Sequence, residues 1–224
     1  MTTTDRDQTV KNRIYSKLKA EIILGHRSPG QRLTINDLTK EAGTSITPVR
    51  DALQMLGQEG LVTIKPRAGY YVSRITLKEL RDLLDMRGIL EVAAVERAAK
   101  VITEDQLEEL KHVHAGYTGD DDQAYTRYTE ENQRFHYLLA KASGNQELAE
   151  AVGRIHERLA RFMVMRQAGK KLQSIHDILI DRLSVRDITG AKKAMVEELR
   201  NSRTAILEKI VQEEAGHWHV GTAK

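Results

Sequence analysis

The sequence predicts a mainly α-helical protein in two parts: a head of three short helices and a small β-hairpin, then an all-α bundle of six or seven helices. Three observations carry this expectation. Apolar residues recur every three to four positions along most of the 224 residues. One stretch, LVTIKPRAGYYV at 61–72, instead sets two β-rich runs about a turn. Charge is divided: residues 1–75 hold 12 Lys and Arg against 7 Asp and Glu, and the remainder holds 23 against 25. A basic head on a near-neutral body points to a polyanionic partner for the head. With no cysteine, disulfides and thiolate chemistry are excluded, and a reducing cytoplasm fits. No apolar run approaches the roughly 18–20 residues that span a bilayer, and the start MTTTDRDQTV lacks the apolar core of a secretory signal.

In the head, Val10, Ile14, Leu18, Ile22 and Ile23 recur at helical spacing until Gly25 stops the helix. A second short helix runs from about Ile35 to Glu41 behind Thr34 as N-cap, and AGTS breaks it. A third runs from about Ile46 to Glu59, with Ala52, Leu53 and Leu56 inward and Gly60 at its end. Pro48 is acceptable there because, with Ser45 as N-cap, it falls in the first turn, whose N–H groups have no intrahelical acceptor. The runs LVTI and YYV then flank a basic tip, Lys65-Pro66-Arg67-Ala68-Gly69. Helix, short helix, tight turn, helix and hairpin is the order of a winged helix-turn-helix. On that reading Thr44, Ser45, Thr47 and Arg50 surround the exposed start of the recognition helix. Hydroxyls and the helix dipole suit phosphates there, and a guanidinium reaches guanine O6 and N7. Lys65, Arg67 and Gly69 form the wing tip.

The stretch LTKEAGTSITPVRDALQMLGQEGLV with the wing IKPRAGYYV resembles the DNA-binding domain of GntR-family bacterial transcription regulators. That family's usual form reads Ser-Arg-Thr-Pro-Val-Arg-Glu-Ala-Leu. Ile46 stands where the family usually has arginine, and Asn36 where an arginine commonly begins the second helix. Arg50 and the Thr44, Ser45, Thr47 group match. The resemblance therefore implies double-stranded DNA as partner, with an operator of different sequence; at Ile46 a thymine methyl is the expected contact.

After Ser73 every pattern is helical. Thr76 caps a helix from Leu77 to about Lys100, and Thr103 with Gln106 forms a capping box for the next, to about Tyr117. Asp120 to Asp122 open a third that ends near Ser143-Gly144-Asn145, and further helices cover about Gln146–Gln167, Leu172–Val185 and Ile188–Glu213. Polar residues sit on stripes that should be apolar. Asn132 and His136 share a face with Phe135 and Leu139; His176 lies among Leu172, Leu179, Ile180 and Leu183; Glu198 follows Ala191, Ala194 and Met195. Burying such groups unpaired costs about 1–3 kcal/mol each, so they meet one another, a metal or a bound ligand. Two histidines with oxygen donors suit zinc, nickel or manganese. Arg87 is also inward, with Glu91 one turn on, as an internal ion pair or as an anchor for an anion. His112 and His114 point two ways on a continuous helix and are expected at the surface.

This second part resembles the FCD effector domain of the FadR-like branch of the same family, through LDMRGILEVAAVERAA, ENQRFHYLLAKASGN and HDILIDRLSVRDITGAKKAMVEEL. The resemblance implies metal ligands at Asn132, His136 and His176, with Glu198 where a third histidine is usual. It also implies an effector carboxylate on Arg87, with Asn132, His136 and His176 nearby. The expected organisation is a DNA-binding domain at 1–75, an effector and dimerisation domain at 76–215 and a flexible tail at 216–224. The expected function is a ligand-responsive repressor, homodimeric on a palindromic operator and cytoplasmic, with no membrane partner. The alternatives are a metal-dependent hydrolase built on the helical part, and an architectural DNA binder without effector.

Overall fold

The computed structural model describes residues 3–114, 119, 121–165 and 169–215. The expected tail at 216–224 lies outside them, as do Tyr117 and Asp120. Contacts divide the chain into two compact units, Met1–Arg81 with Arg154–Arg161, and Asp82–Gly153 with Phe162–Lys224.

In the first unit α1 spans Thr3–Ile23 and buries Ile14, Leu18 and Ile22, which lie one turn apart on one face. Helix α2 (Ile35–Ala42) starts at Thr34, whose hydroxyl accepts from the Asp37 N–H, and ends at Gly43, left-handed at φ 59°. Helix α3 (Ile46–Gln58) buries Val49, Ala52, Leu53 and Leu56 completely; burying each leucine is worth about 1.5–3 kcal/mol. Ser45 occupies the N-cap position with extended backbone, but its hydroxyl makes no capping bond, contrary to the expected cap. Pro48 is the third residue of the helix, where no backbone acceptor is forfeited. Strands β2 (Val62–Lys65) and β3 (Gly69–Val72) form the expected hairpin. A two-residue strand, β1 (Arg32–Leu33), pairs antiparallel with β3 and completes a sheet of order β1-β3-β2, which the sequence did not predict. Tyr15 of α1 donates to Glu59 at the end of α3, and Lys19 sits 3.0 Å from the same carboxylate, so α1 braces that end of α3.

Helix α4 spans Leu77–Val101, with Asp82 onward in the second unit, and is opened by reciprocal bonds between Thr76 and Glu79. Helix α5 (Glu104–Lys111) opens on the capping box of Thr103 and Gln106 and ends well before Tyr117. Helix α6 (Asp122–Ala142) is capped by Asp121, whose carboxylate accepts from the Ala124 N–H at 2.7 Å. Helices α7 (Gln146–Met165), α8 (Gly169–Ser184) and α9 (Ile188–Ala215) follow, giving six helices from Leu77 on among the described residues. The main core joins Val95 and Ala98 of α4, Leu107 and Leu110 of α5, Phe135 and Leu139 of α6, Leu179 and Leu183 of α8, and Met195 of α9. Arg186 adopts a left-handed φ of 55° after α8, and its guanidinium donates to the Lys100 and Ile102 carbonyls at 2.9 and 3.1 Å, satisfying the end of α4. These helices bring α4, α6, α8 and α9 around one buried polar centre.

Candidate functional site

Two sets of residues carry chemistry. The first is the start of α3 with the hairpin tip. Ser45, Ile46, Thr47 and Arg50 are exposed, Thr44 is partly so, and Asn36 is exposed on α2. Ile46 shows 47% of its surface, a large apolar side chain left out of the core. In the hairpin, the Ala68 N–H donates to the Lys65 carbonyl at 3.1 Å, closing a turn with Pro66 second and Arg67 third. Arg67 takes a φ of 62°, where glycine or asparagine is favoured. Arg32 and Tyr71 both donate to the Ala68 carbonyl at 3.2 Å, which holds the tip in place, and Lys65 lies over the Tyr71 ring. Lys65 and Arg67 are exposed, and Gly69 is left-handed at φ 112° beside them.

The second set is buried. Arg87, 1% exposed, pairs through Nε with Glu91 at 2.6 Å and donates through Nη1 to Ser202 at 3.2 Å. Its Nη2 lies 3.4 Å from His136 Nε2 and 3.6 Å from Glu198 Oε1. His136 stands between carboxylates, Nδ1 at 2.5 Å from Glu91 and Nε2 at 3.1 Å from Glu198. His176 Nε2 faces Glu198 Oε1 at 3.7 Å, and its ring lies flat on Phe135, centroids 3.7 Å apart. Thus α4, α6, α8 and α9 each place a polar side chain in one buried centre. Burial lowers the His136 pKa, but the charges of Glu91 and Glu198 outweigh it and raise the imidazole to about 9. For His176 burial dominates and lowers the pKa to about 4, so this ring is neutral. Burial would raise the Glu198 carboxyl, yet His136 and His176 hold it well below its usual range.

The donor set fits a divalent ion. One atom each of His136, His176 and Glu198 lie within 4.8 Å of one another. Among the described residues, both amide atoms of Asn132, His176 Nε2 and Glu198 Oε2 have no hydrogen-bond partner although buried. An ion or a polar ligand would satisfy them, and one imidazole per helix with two oxygen donors is a common set for zinc, nickel or manganese.

The structure therefore brings together Arg87, His136, His176 and Glu198, with Asn132 buried one turn before His136 on α6. Leu172, expected beside His176, has a side chain outside the described residues. His114 corrects the sequence reading: it is not a surface residue but only 10% exposed, with Nε2 at 2.7 Å from His176 Nδ1. The helical facing that sent it outward does not apply, because α5 ends at Lys111. Glu91 proves to be more than a partner of Arg87, since it also clamps His136. The one available signal was the histidine pair itself, His112 and His114, two residues apart.

Comparison with known proteins places these sites in context. Residues 82–201 match the FCD domain family, and residues 10–72 match the bacterial regulatory proteins of the gntR family. The chain is 25% identical over 216 residues to the HTH-type transcriptional repressor RspR of Escherichia coli, covering 94% of both chains. It is 27% identical over 198 residues to the repressor GlaR of the same organism, covering 83% of this chain and 90% of GlaR. Among solved structures, Escherichia coli McbR/YncC superposes with a TM-score of 0.68 at 20% identity over 94% of this chain and 100% of that one. A putative GntR regulator from Rhodococcus sp. RHA1 gives 0.68 at 19% identity over 88% and 97%.

Proposed function

The chain belongs to the gntR family of bacterial transcription regulators that carry an FCD domain, and we propose that it couples a small carboxylate effector to operator binding. The family consists of regulators rather than enzymes, which sets the hydrolase alternative aside. The observation that carries the coupling is the buried centre. Arg87 directs Nη2 at a donor set whose Asn132, His176 and Glu198 atoms lack hydrogen-bond partners among the described residues, as a site completed by a ligand would. An inert architectural domain has no use for such a centre, because unpaired buried polar atoms cost stability.

In this reading residues 1–75 bind DNA and residues 76–215 bind effector. Arg50 reads a guanine edge, Ile46 packs on a thymine methyl, and Asn36, Thr44, Ser45, Thr47, Lys65, Arg67 and the Gly69 backbone meet the phosphate chain and groove. Arg87 offers a planar fork to the effector carboxylate, with Asn132, His136 and His176 around it. A zinc, nickel or manganese ion would be held by Asn132, His136, His176 and Glu198, and would supply a Lewis-acidic anchor for the same carboxylate. Charge supports this pairing: without an ion Arg87 and the His136 imidazolium balance Glu91 and Glu198, whereas a divalent ion held by neutral His136 leaves one net positive charge, which a carboxylate neutralises. Helix α4 leaves Met86, Ile89 and Ala93 exposed at helical spacing, an apolar stripe that a second copy would cover. A homodimer presents two recognition helices to a palindromic operator in the cytoplasm. The full-length relatives RspR and GlaR are repressors by name, which supports repression as the sense of regulation.

A gel-shift assay on DNA upstream of the protein's own gene, with a panel of small carboxylates and with or without Zn(II), tests the coupling. One carboxylate class should change operator affinity, and Arg87→Lys should blunt the change. Affinity indifferent to every carboxylate would leave only the architectural alternative.

A further inference from the structure

We propose that His114, backed by Glu131 and Arg127, is a positioning residue that fixes the tautomer of His176, so that Nε2 presents a bare lone pair to the buried donor set. The inference rests on the metal reading above for its consequence, and on geometry alone for its cause.

The contact of His114 Nε2 with His176 Nδ1, 2.7 Å, joins two ring nitrogens, and one must donate to the other. The far end of the chain decides which. His114 Nδ1 lies 3.3 Å from Glu131 Oε2, and an ionised carboxylate only accepts, so His114 carries its proton on Nδ1. Arg127 pairs with the other Glu131 oxygen at 3.4 Å, so the carboxylate faces a donor on each side. The tautomer with its proton on Nδ1 has a bare Nε2, which accepts from His176 Nδ1–H, and His176 is left with a bare Nε2. That atom faces Glu198 Oε1 at 3.7 Å and has no hydrogen-bond partner among the described residues. The stack on Phe135, 4° from parallel, fixes the ring plane. Phe135 thus sets the plane in which Nε2 points, and His114 sets which nitrogen can ligate. With the proton on Nε2 instead, the ring would donate to Glu198 and could not hold a cation.

Histidine ligands commonly donate their other nitrogen to a carboxylate or carbonyl acceptor, and losing that partner costs about 10–100-fold in metal affinity. Here an imidazole is interposed, and the chain runs to an arginine 36% exposed.

Two measurements on the full chain test this. The first is the ring nitrogen spectrum of ¹⁵N-histidine-labelled, metal-free protein, above the ordinary imidazole pKa of about 6.5. It should show His176 protonated on Nδ1 and bare on Nε2; a proton on Nε2 overturns the proposal whether or not metal binds. The second is Co(II) affinity, followed by the cobalt d–d absorption. His114→Ala should weaken it about 10–100-fold. His114→Gln, whose amide oxygen can accept from Nδ1–H, should recover most of the loss. Glu131→Ala, one bond further from the ligand, should give a smaller loss in the same direction. Equal affinity in wild type and His114→Ala overturns the proposal. Should the wild type take up no Co(II), the metal reading fails, while the tautomer measurement still decides the chain.

Discussion

Arg50 and Arg87 are one residue type in opposite surroundings, and each surrounding dictates a different failure. Arg50 is exposed on α3 and contributes nothing to the core, so its truncation should leave the fold intact. Arg50→Ala should cost about 1–3 kcal/mol of operator affinity with an unchanged melting temperature. Competition gel shifts beside a thermal melt check this, and wild-type affinity in the variant would displace α3 as the reading helix. Arg87 is the reverse case. It is paired with Glu91 at 2.6 Å and lies near Glu198, both carboxylates being buried. Arg87→Met fits the space but leaves those charges without their guanidinium. It should cost about 3–5 kcal/mol in urea unfolding, the usual penalty for stranding one partner of a buried pair. A loss under 1 kcal/mol would mean that His136 alone compensates both carboxylates.

At the scale of elements, the wing tip holds strain at a residue proposed above to meet DNA. A left-handed non-glycine residue costs about 1–2 kcal/mol, yet Arg67 stands there at φ 62°. Arg67→Gly should leave stability unchanged or raise it by up to about 1 kcal/mol, since relief of strain is partly offset by glycine's backbone entropy. The same variant should bind operator more weakly with a shallower salt dependence, by about 0.9 in slope if one phosphate contact is lost. The brace between α1 and α3 has its own signature. Burial and the bond to Glu59 raise the Tyr15 phenol from 10.0 to about 12, against the lowering influence of Lys19. A folded-state pKa above the unfolded one gives stability that is present below pH 10 and lost as pH rises toward about 12. Tyr15→Phe should therefore flatten alkaline unfolding of the head across that window and remove one late-titrating phenol from the ultraviolet titration. Elements whose cause is local were legible in sequence: Thr34 and Gly43 bracket α2, Thr103 with Gln106 opens α5, and two β-rich runs enclose the turn. Strand β1 was not, because two residues carry no periodicity and Arg32–Leu33 become a strand only by pairing with β3. At the buried centre, facing on a helix identified Asn132, His136, His176, Glu198 and Arg87 as inward. It could not reveal His114, which leaves α5 just past Lys111 and reaches its partner only through the tertiary fold.

At the scale of the whole molecule, one short reading helix contacts too few base pairs to single out an operator, so specificity has to come from two heads held together. The surface of α4 offers a face for the second copy proposed above. Its inner face carries Leu83, Arg87, Glu91 and Ala94, all buried, while Met86, Ile89 and Ala93 make an outer apolar stripe. Ile89 is 65% exposed, an unusual cost for a helix with no partner on that side. A twofold interface is self-complementary. Two α4 helices crossing antiparallel at Ile89 would bring the two copies of that side chain together at an apolar centre. Ile89→Asp places two like charges at that crossing and, because Ile89 is 65% exposed, leaves the core of each copy untouched. Sedimentation at micromolar concentration should find the wild type near twice 25.4 kDa and the variant near 25.4 kDa, with the melting profile of the monomer's core retained. Operator affinity should fall with dimerisation, while binding to unrelated DNA, which needs only the basic head, should change little. A dimeric Ile89→Asp variant would move the interface off α4, and a monomeric wild type bound to operator at full affinity would remove the need for two heads.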